Sequence, residues 1–202
     1  MAIKTSTVES EDAYEDGHYF VPPPSKRLIV KRNGSSITRQ IPKPVVLVDT
    51  REQTPLDFSR FPNWIASHKR RKLSVGDYSV QGMEDILIIE RKSLRDLITT
   101  LMQQRPRFFR QCEKMTKYRW RALFVEASYE DIKSPYDYTE AHPNAVSGTL
   151  DALEAKFGIP VIYTSRYQEL AEEKAASWLS KHFTYWYLES NGMGRVFQEG
   201  DL

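Results

Sequence analysis

A single cysteine, Cys112, occurs in 202 residues, so an internal disulfide and any multi-cysteine zinc site are excluded. The four histidines (His18, His68, His142 and His182) are scattered, and no H-x-x-x-H pair exists to build a zinc hydrolase. No stretch approaches the ~20 apolar residues of a membrane span. The opening MAIKTSTVESEDAYEDG lacks the apolar core of a secretory signal. The expectation is an intracellular protein with no membrane partner. Internal repeats are absent. So is a large charge excess: the formal net charge is only +2, which does not by itself announce a polyanion partner.

What is present is a core-forming composition, 40% hydrophobic, in a length that suits one globular domain plus some tail. The charge is also unevenly spread. Residues 9–16 hold five acids, and Lys69 to Lys72 are four consecutive bases. Between 105 and 121 seven bases face one acid. Local concentration of this kind binds a polyanion even when the sum is small. Residues 1–44 read as an acidic, proline-rich arm. Its first 26 residues have little apolar pattern, and a possible β-ribbon follows around Asn33-Gly34. Residues 45–187 carry the domain, and 188–202 form a tail.

Within the domain, buried strands are expected at Val45–Asp49, Ile86–Lys92, Ala122–Ala127 and Pro160–Ser165, with a shorter one at Leu73–Val75. Helices are expected at Trp64–Lys72, from Ser93, from Pro106, over Val146–Phe157 and from Tyr167 to about Phe183. Residues 128–143 read as a loop. The order gives an α/β fold with a mixed central sheet flanked by helices. In the helix from Pro106, Phe108, Cys112 and Met115 share one face. Arg107, Arg110, Lys114, Lys117 and Arg121 fall on another. That stripe fits a DNA backbone, and it equally fits a solvated face.

The chemistry concentrates between Leu73 and Leu101. Glu90 and Lys92 alternate onto one face of a strand end, and Arg91 points to the other. A hairpin would bring Asp77 beside Glu90. Two converging carboxylates are a hard-oxygen site for Mg²⁺ or Mn²⁺, and a neighbouring lysine stabilises charge building on a phosphate. The same pattern also fits a polar strand end with a surface ion pair. Asp49 and Glu52 are further acids at or just beyond a strand end.

Together these residues resemble the PD-(D/E)XK nuclease superfamily, and specifically the nuclease domain of the XPF family of structure-specific endonucleases. The matching runs are Val48-Asp49-Thr50-Arg51-Glu52, Gly76-Asp77-Tyr78, and Glu90-Arg91-Lys92-Ser93-Leu94-Arg95-Asp96. The last fits the family's ERK-x-x-x-D signature at every fixed position. Arg107 and Gln111, the LFVE strand ending at Glu126, and His142 to Val146 match later parts, so the resemblance covers roughly residues 45–185. It implies a restriction-endonuclease-like sheet and a Mg²⁺-dependent DNA endonuclease, with Mn²⁺ able to substitute. Asp77 and Glu90 would be the main metal ligands, and Asp49 and Glu52 further direct or water-mediated ones. Lys92 would orient the attacking water or stabilise transition-state charge. Arg51 and Arg91 would hold phosphates, with Glu52 or Asp96 as the alternative partner of Arg91. Arg107, Arg110, Gln111 and Lys114 would contact DNA, or the first three would brace the acids. Tyr78 reads as packing or function, Asp96 as helix cap or catalyst.

The family's helicase and paired helix-hairpin-helix modules have no counterpart in these residues, so a homodimer or a protein partner supplying DNA binding is implied. Flap, fork or junction DNA is the implied substrate, in repair or recombination. The alternative is a catalytically inactive scaffolding subunit. Single strands or RNA form a third class of substrate, although no RNP-like aromatic pair is present.

Overall fold

The computed structural model describes residues 27–32 and 35–191, with side chains described from Ile41 onward. Residues 1–26 of the expected arm, its Asn33-Gly34 turn and the end of the tail lie outside the described residues. Strands β1 (Arg27–Arg32) and β2 (Ser35–Gln40) pair antiparallel, as the ribbon expectation required.

The domain is built on a six-stranded mixed sheet. Its strands are β3 (Val45–Val48), β4 (Ser67–Arg70), β5 (Tyr78–Val80), β6 (Leu87–Ser93), β7 (Trp120–Glu126) and β8 (Val161–Tyr163), in the order β4-β3-β5-β6-β7-β8. Strand β5 runs antiparallel to both β3 and β6, and the remaining pairs are parallel. The ends that carry Val48, Tyr78 and Ile89 therefore meet, because Val48 pairs with Tyr78 and Tyr78 with Ile89.

Alternation along the strands divides the core into two layers. Val46, Val48, Leu87, Ile89, Ala122 and Phe124 face α5 (Gln168–Ser190). Leu47, Ile88, Leu123 and Val125 face α1 (Leu94–Gln103), α2 (Arg105–Met115) and α4 (Pro143–Phe157). Both faces are covered, which is why these strands read as continuous apolar runs rather than alternating ones. Helix α1 starts at Ser93, whose Oγ accepts the Asp96 N–H and donates to the Asp96 carboxylate, so Asp96 takes the capping role. Helix α4 ends at Gly158, which adopts the left-handed conformation at φ 59°.

Several expectations need correction. Trp64–Lys72 is not a helix: Ser67–Arg70 forms the exposed edge strand β4, parallel to β3. Backbone pairing with a buried neighbour outweighs the helical reading of its basic end. Leu73–Val75 is not a strand, and Asp77 precedes β5 instead of closing an earlier one. The basic stripe is shorter than its periodicity suggested, because α2 ends at Met115 and Arg121 lies in β7. There the Arg121 guanidinium donates to the carbonyls of Tyr118 and Phe157. Residues 128–143 contain a short helix, α3 (Tyr129–Lys133), opened by a reciprocal Ser128–Asp131 cap. Helix α5 runs past Phe183 to Ser190, because Trp186, Tyr187 and Leu188 pack back on the core.

Candidate active site

The site forms where the ends of β3, β5 and β6 meet. Asp77 is fixed there by main-chain bonds on both sides. Its N–H donates to the Ile89 carbonyl at 2.8 Å, and its carbonyl accepts the Asp49 N–H at 2.8 Å. The preceding Gly76 has φ 73°, and a Cβ there would stand 2.5 Å from Ile88 Cγ1 and 2.8 Å from the Ile89 carbonyl oxygen. Only glycine lets the chain pass this close to β6. The Gly-Asp pair is thus a backbone device that presents a carboxylate over the strand.

The alternation of β6 sorts the next residues. Glu90 and Lys92 follow Ile88 onto the α1/α2 face. Lys92 Nζ donates to Glu90 Oε1 at 2.6 Å, and Gln111 Nε2 on α2 donates to Glu90 Oε2. Lys92 also lies 5.8 Å from the Phe108 ring centroid. Arg91 follows Ile89 to the opposite face. Its guanidinium meets Glu126 at 2.6 Å, Glu52 at 3.5 Å and the Thr54 carbonyl at 2.7 Å. Its backbone N–H donates to Asp77 Oδ2 at 2.7 Å. Of the partners considered for Arg91, the structure provides Glu52 and adds Glu126; Asp96 is engaged by Ser93.

The electrostatics follow from burial. Glu90 is 2% exposed, and its pKa is raised, first by loss of hydration. Asp77 is pushed up to about 7, first by burial and then by the charge of Glu90. Burial alone would lower the Lys92 pKa, but Glu90 and then Asp77 raise it and hold the ammonium charged. Two buried carboxylates that resist ionising together would be stabilised by a divalent cation. Their hard oxygens suit Mg²⁺ or Mn²⁺, which typically takes one or two carboxylates and keeps several waters.

The other two expected ligands are engaged by side-chain and backbone donors of their own. Asp49 is 1% exposed, and its oxygens accept the Arg51 N–H, the Arg51 Nε–H and the Leu73 N–H at 2.6–2.9 Å. Burial opposes its ionisation, yet these donors hold its pKa below the usual carboxylate value. Glu52 accepts the Thr54 N–H and faces Arg91. No group of three or more His, Cys, Asp or Glu among the described residues is arranged to hold a metal ion. Asp49 is thus held by Arg51 and Leu73, and Glu52 by Thr54 and Arg91.

A cleft of about 380 Å³ opens over Asp77, lined by Arg51, Arg107, Arg110, Gln111 and Lys114. Four cations and an amide thus surround one carboxylate. Tyr78 is a packing residue whose hydroxyl accepts the Leu56 N–H, and Cys112 is a buried core residue with its thiol pushed up to about 12 by burial. Sequence reasoning missed Arg70. Its Nη1 donates to the carbonyls of Asp49 at 2.8 Å and Glu52 at 2.6 Å, clamping the turn between them. Nothing in a run of four bases distinguishes it.

This geometry agrees with the comparisons to known proteins. The family model described as the ERCC4 domain matches residues 48–175. The chain belongs to the ERCC4 domain family. Among curated proteins it is 28% identical over 131 residues to the "Putative ATP-dependent RNA helicase MJ1505" of Methanocaldococcus jannaschii, covering 64% of this chain and 15% of that protein. Among solved structures it is similar to XPF from Aeropyrum pernix, at 22% identity and a TM-score of 0.55, covering 69% of this chain and 65% of that one. The chain thus spans slightly less than two thirds of the XPF chain and a small part of MJ1505. The ERCC4 domain here has the mixed, helix-flanked sheet of the XPF nuclease fold. No helix among the described residues is long and apolar enough to cross a membrane.

Proposed function

We propose that this ERCC4 domain is a metal-dependent DNA endonuclease that hydrolyses phosphodiester bonds in branched DNA, at flaps, forks or junctions, in repair or recombination. The observation that carries the reading is the cleft that sets Asp77 among Arg51, Arg107, Arg110 and Lys114. Asp77 and Glu90 would hold a divalent cation, which would supply charge neutralisation at the phosphate and activation of water. The chain's own groups do the rest. The guanidinium and ammonium groups of the cleft hold the phosphate backbone in register. Lys92, charged and pinned to Glu90, places an ammonium where negative charge grows on the phosphate. Gln111 keeps the Glu90 carboxylate turned toward α2. Arg91 ties Glu126 and Glu52 to the strand that carries Glu90, and its N–H orients Asp77. Residues 45–187 form the nuclease unit in this reading, and a homodimer or a protein partner supplies further DNA binding.

A second reading, a DNA-binding subunit without catalysis, draws on one observation: Asp49 is committed to Arg51 and Leu73, so the four acids do not form one ligand set. A cleavage panel decides between them. Single strand, duplex, 3′ flap, splayed fork and four-way junction are each incubated with Mg²⁺, Mn²⁺ or EDTA, beside Asp77→Asn, Glu90→Gln and Lys92→Ala. The nuclease cuts only with metal, and each variant loses cutting while retaining binding. Binding without cutting on every substrate assigns the scaffolding role.

A further inference from the structure

The basic cleft accounts for phosphates but not for bases. Five large apolar or aromatic side chains are well exposed among the described residues, and three of them, Tyr129, Tyr138 and Tyr167, gather at one end of the sheet. Strands β6, β7 and β8 run parallel, so their C-terminal ends lie together. Lys92 is the next-to-last residue of β6 at that end. Tyr129 opens α3 just after β7, and Tyr167 precedes α5 just after β8. Arg95, in the first turn of α1, projects from the same end, three residues beyond Lys92.

Tyr138 is 41% exposed, and the Arg95 guanidinium lies 4.9 Å from its ring centroid. Arg95 makes no ion pair with any carboxylate among the described residues. Behind Tyr138 stands Tyr136, with ring centroids 6.1 Å apart, its hydroxyl donating to the Ile132 carbonyl and its ring packed on the core. Tyr129, 50% exposed, is braced in the same way against Tyr163 at 5.6 Å. Single exposed apolar side chains are ordinary, whereas exposed aromatic rings grouped on one surface mark an interaction site. Two such rings, each backed by a second tyrosine and one accompanied by a guanidinium without a carboxylate, have the chemistry of a stacking surface for unpaired bases. A duplex hides its base faces, so a bound segment must be single-stranded.

We propose that Tyr138 with Arg95, continued by Tyr129, binds the unpaired bases of a single-stranded arm beside the candidate active site. The inference rests on the nuclease reading and assigns to these side chains the grip on the unpaired arm of a flap or fork. Affinity is measured by fluorescence anisotropy of the full chain in EDTA, so cleavage does not enter. The probes are a splayed fork with a thymine arm, the same fork with an abasic arm, and a blunt duplex.

The wild type binds the thymine-arm fork more tightly than the abasic one. Tyr138→Ala erases that difference, weakening thymine-arm binding about fivefold or more. Tyr138→Phe, which keeps the ring face, leaves it intact. Equal loss on thymine and abasic arms, or unchanged affinity in Tyr138→Ala and Arg95→Ala alike, would overturn the proposal. So would a change of oligomeric state in Tyr138→Ala by analytical ultracentrifugation, which would make the surface a contact between two copies. Absence of cleavage by the wild type with Mg²⁺ or Mn²⁺ fails the nuclease reading separately, because the arm preference is read without metal.

Discussion

Gln111 on α2 donates its side-chain N–H to Oε2 of Glu90 on β6, so the basic helix and the acidic strand end share one hydrogen bond. A basic cleft and a pair of carboxylates are thereby held in one relative position. Gln111→Ala frees Glu90 to turn away while leaving the cations of α2 in place. Partners of this kind typically contribute about 10–100-fold to metal affinity or activity. Cleavage by Gln111→Ala is expected to fall at least about tenfold at limiting Mg²⁺ and to recover partly as Mg²⁺ is raised. A metal titration of the cleavage rate checks this, and loss of DNA binding in EDTA would instead make Gln111 a DNA contact.

The two glycines Gly76 and Gly148 predict opposite outcomes for the same substitution. Gly76→Ala forces a Cβ against Ile88 and the Ile89 carbonyl in a left-handed backbone, and is expected to cost about 2–4 kcal/mol. Gly148 lies inside α4 with nothing within 4 Å of where an added methyl group would sit, so Gly148→Ala is expected to gain about 0.5–1 kcal/mol. Thermal melts should show Tm lower by about 5–10 °C for the first and slightly higher for the second.

Arg107, Arg110 and Lys114 face the cleft with Arg51. Replacing the three with alanine is expected to weaken duplex binding and to reduce the slope of log K against log salt, by up to about 0.9 for each phosphate that is no longer neutralised. Anisotropy across a salt series from about 50 to about 200 mM reads that slope. An unchanged slope would mark the stripe as a solvated face.

The pair Asp77–Glu90 makes stability depend on pH. The folded pKa of Asp77, about 7, lies above its ordinary value of 3.8, so the folded protein holds a proton that the unfolded chain has released. Its contribution to stability is present below about 4 and is lost as pH rises toward 7. Asp77→Asn carries no such penalty. Its Tm relative to the wild type is expected to rise between about pH 4 and about pH 8, measured without divalent ions. Adding Mg²⁺ at the alkaline end should raise the wild-type Tm and leave Asp77→Asn unmoved.

Much of this was legible in the sequence because it rests on periodicity. The alternation that puts Glu90 and Lys92 on one face and Arg91 on the other needs only a strand, and β6 supplies it. The burial of Phe108, Cys112 and Met115 needs only a helix. What failed depended on partners distant in sequence. Ser67–Arg70 becomes a strand because β3 lies beside it, and Arg121 leaves the stripe because the chain turns at Thr116–Tyr118 to start β7. The role of Arg70 was invisible for the same reason, because its carbonyl partners lie some 20 residues away, and Asp49 adds a distant donor, Leu73, to its local ones from Arg51.

Asp77 is placed chiefly by its own main chain, clamped between Ile89 and Asp49, and the one bond its carboxylate accepts, from the Arg91 N–H, is one an amide oxygen can also accept. Removing that carboxyl therefore deletes the chemistry without dismantling the frame. An Asp77→Asn chain should act as a trap, gripping uncut substrate long enough to be isolated with it. The same independence gives descendants of such a domain a simple path to retirement. They could lose their carboxylates one at a time and still present the same basic cleft.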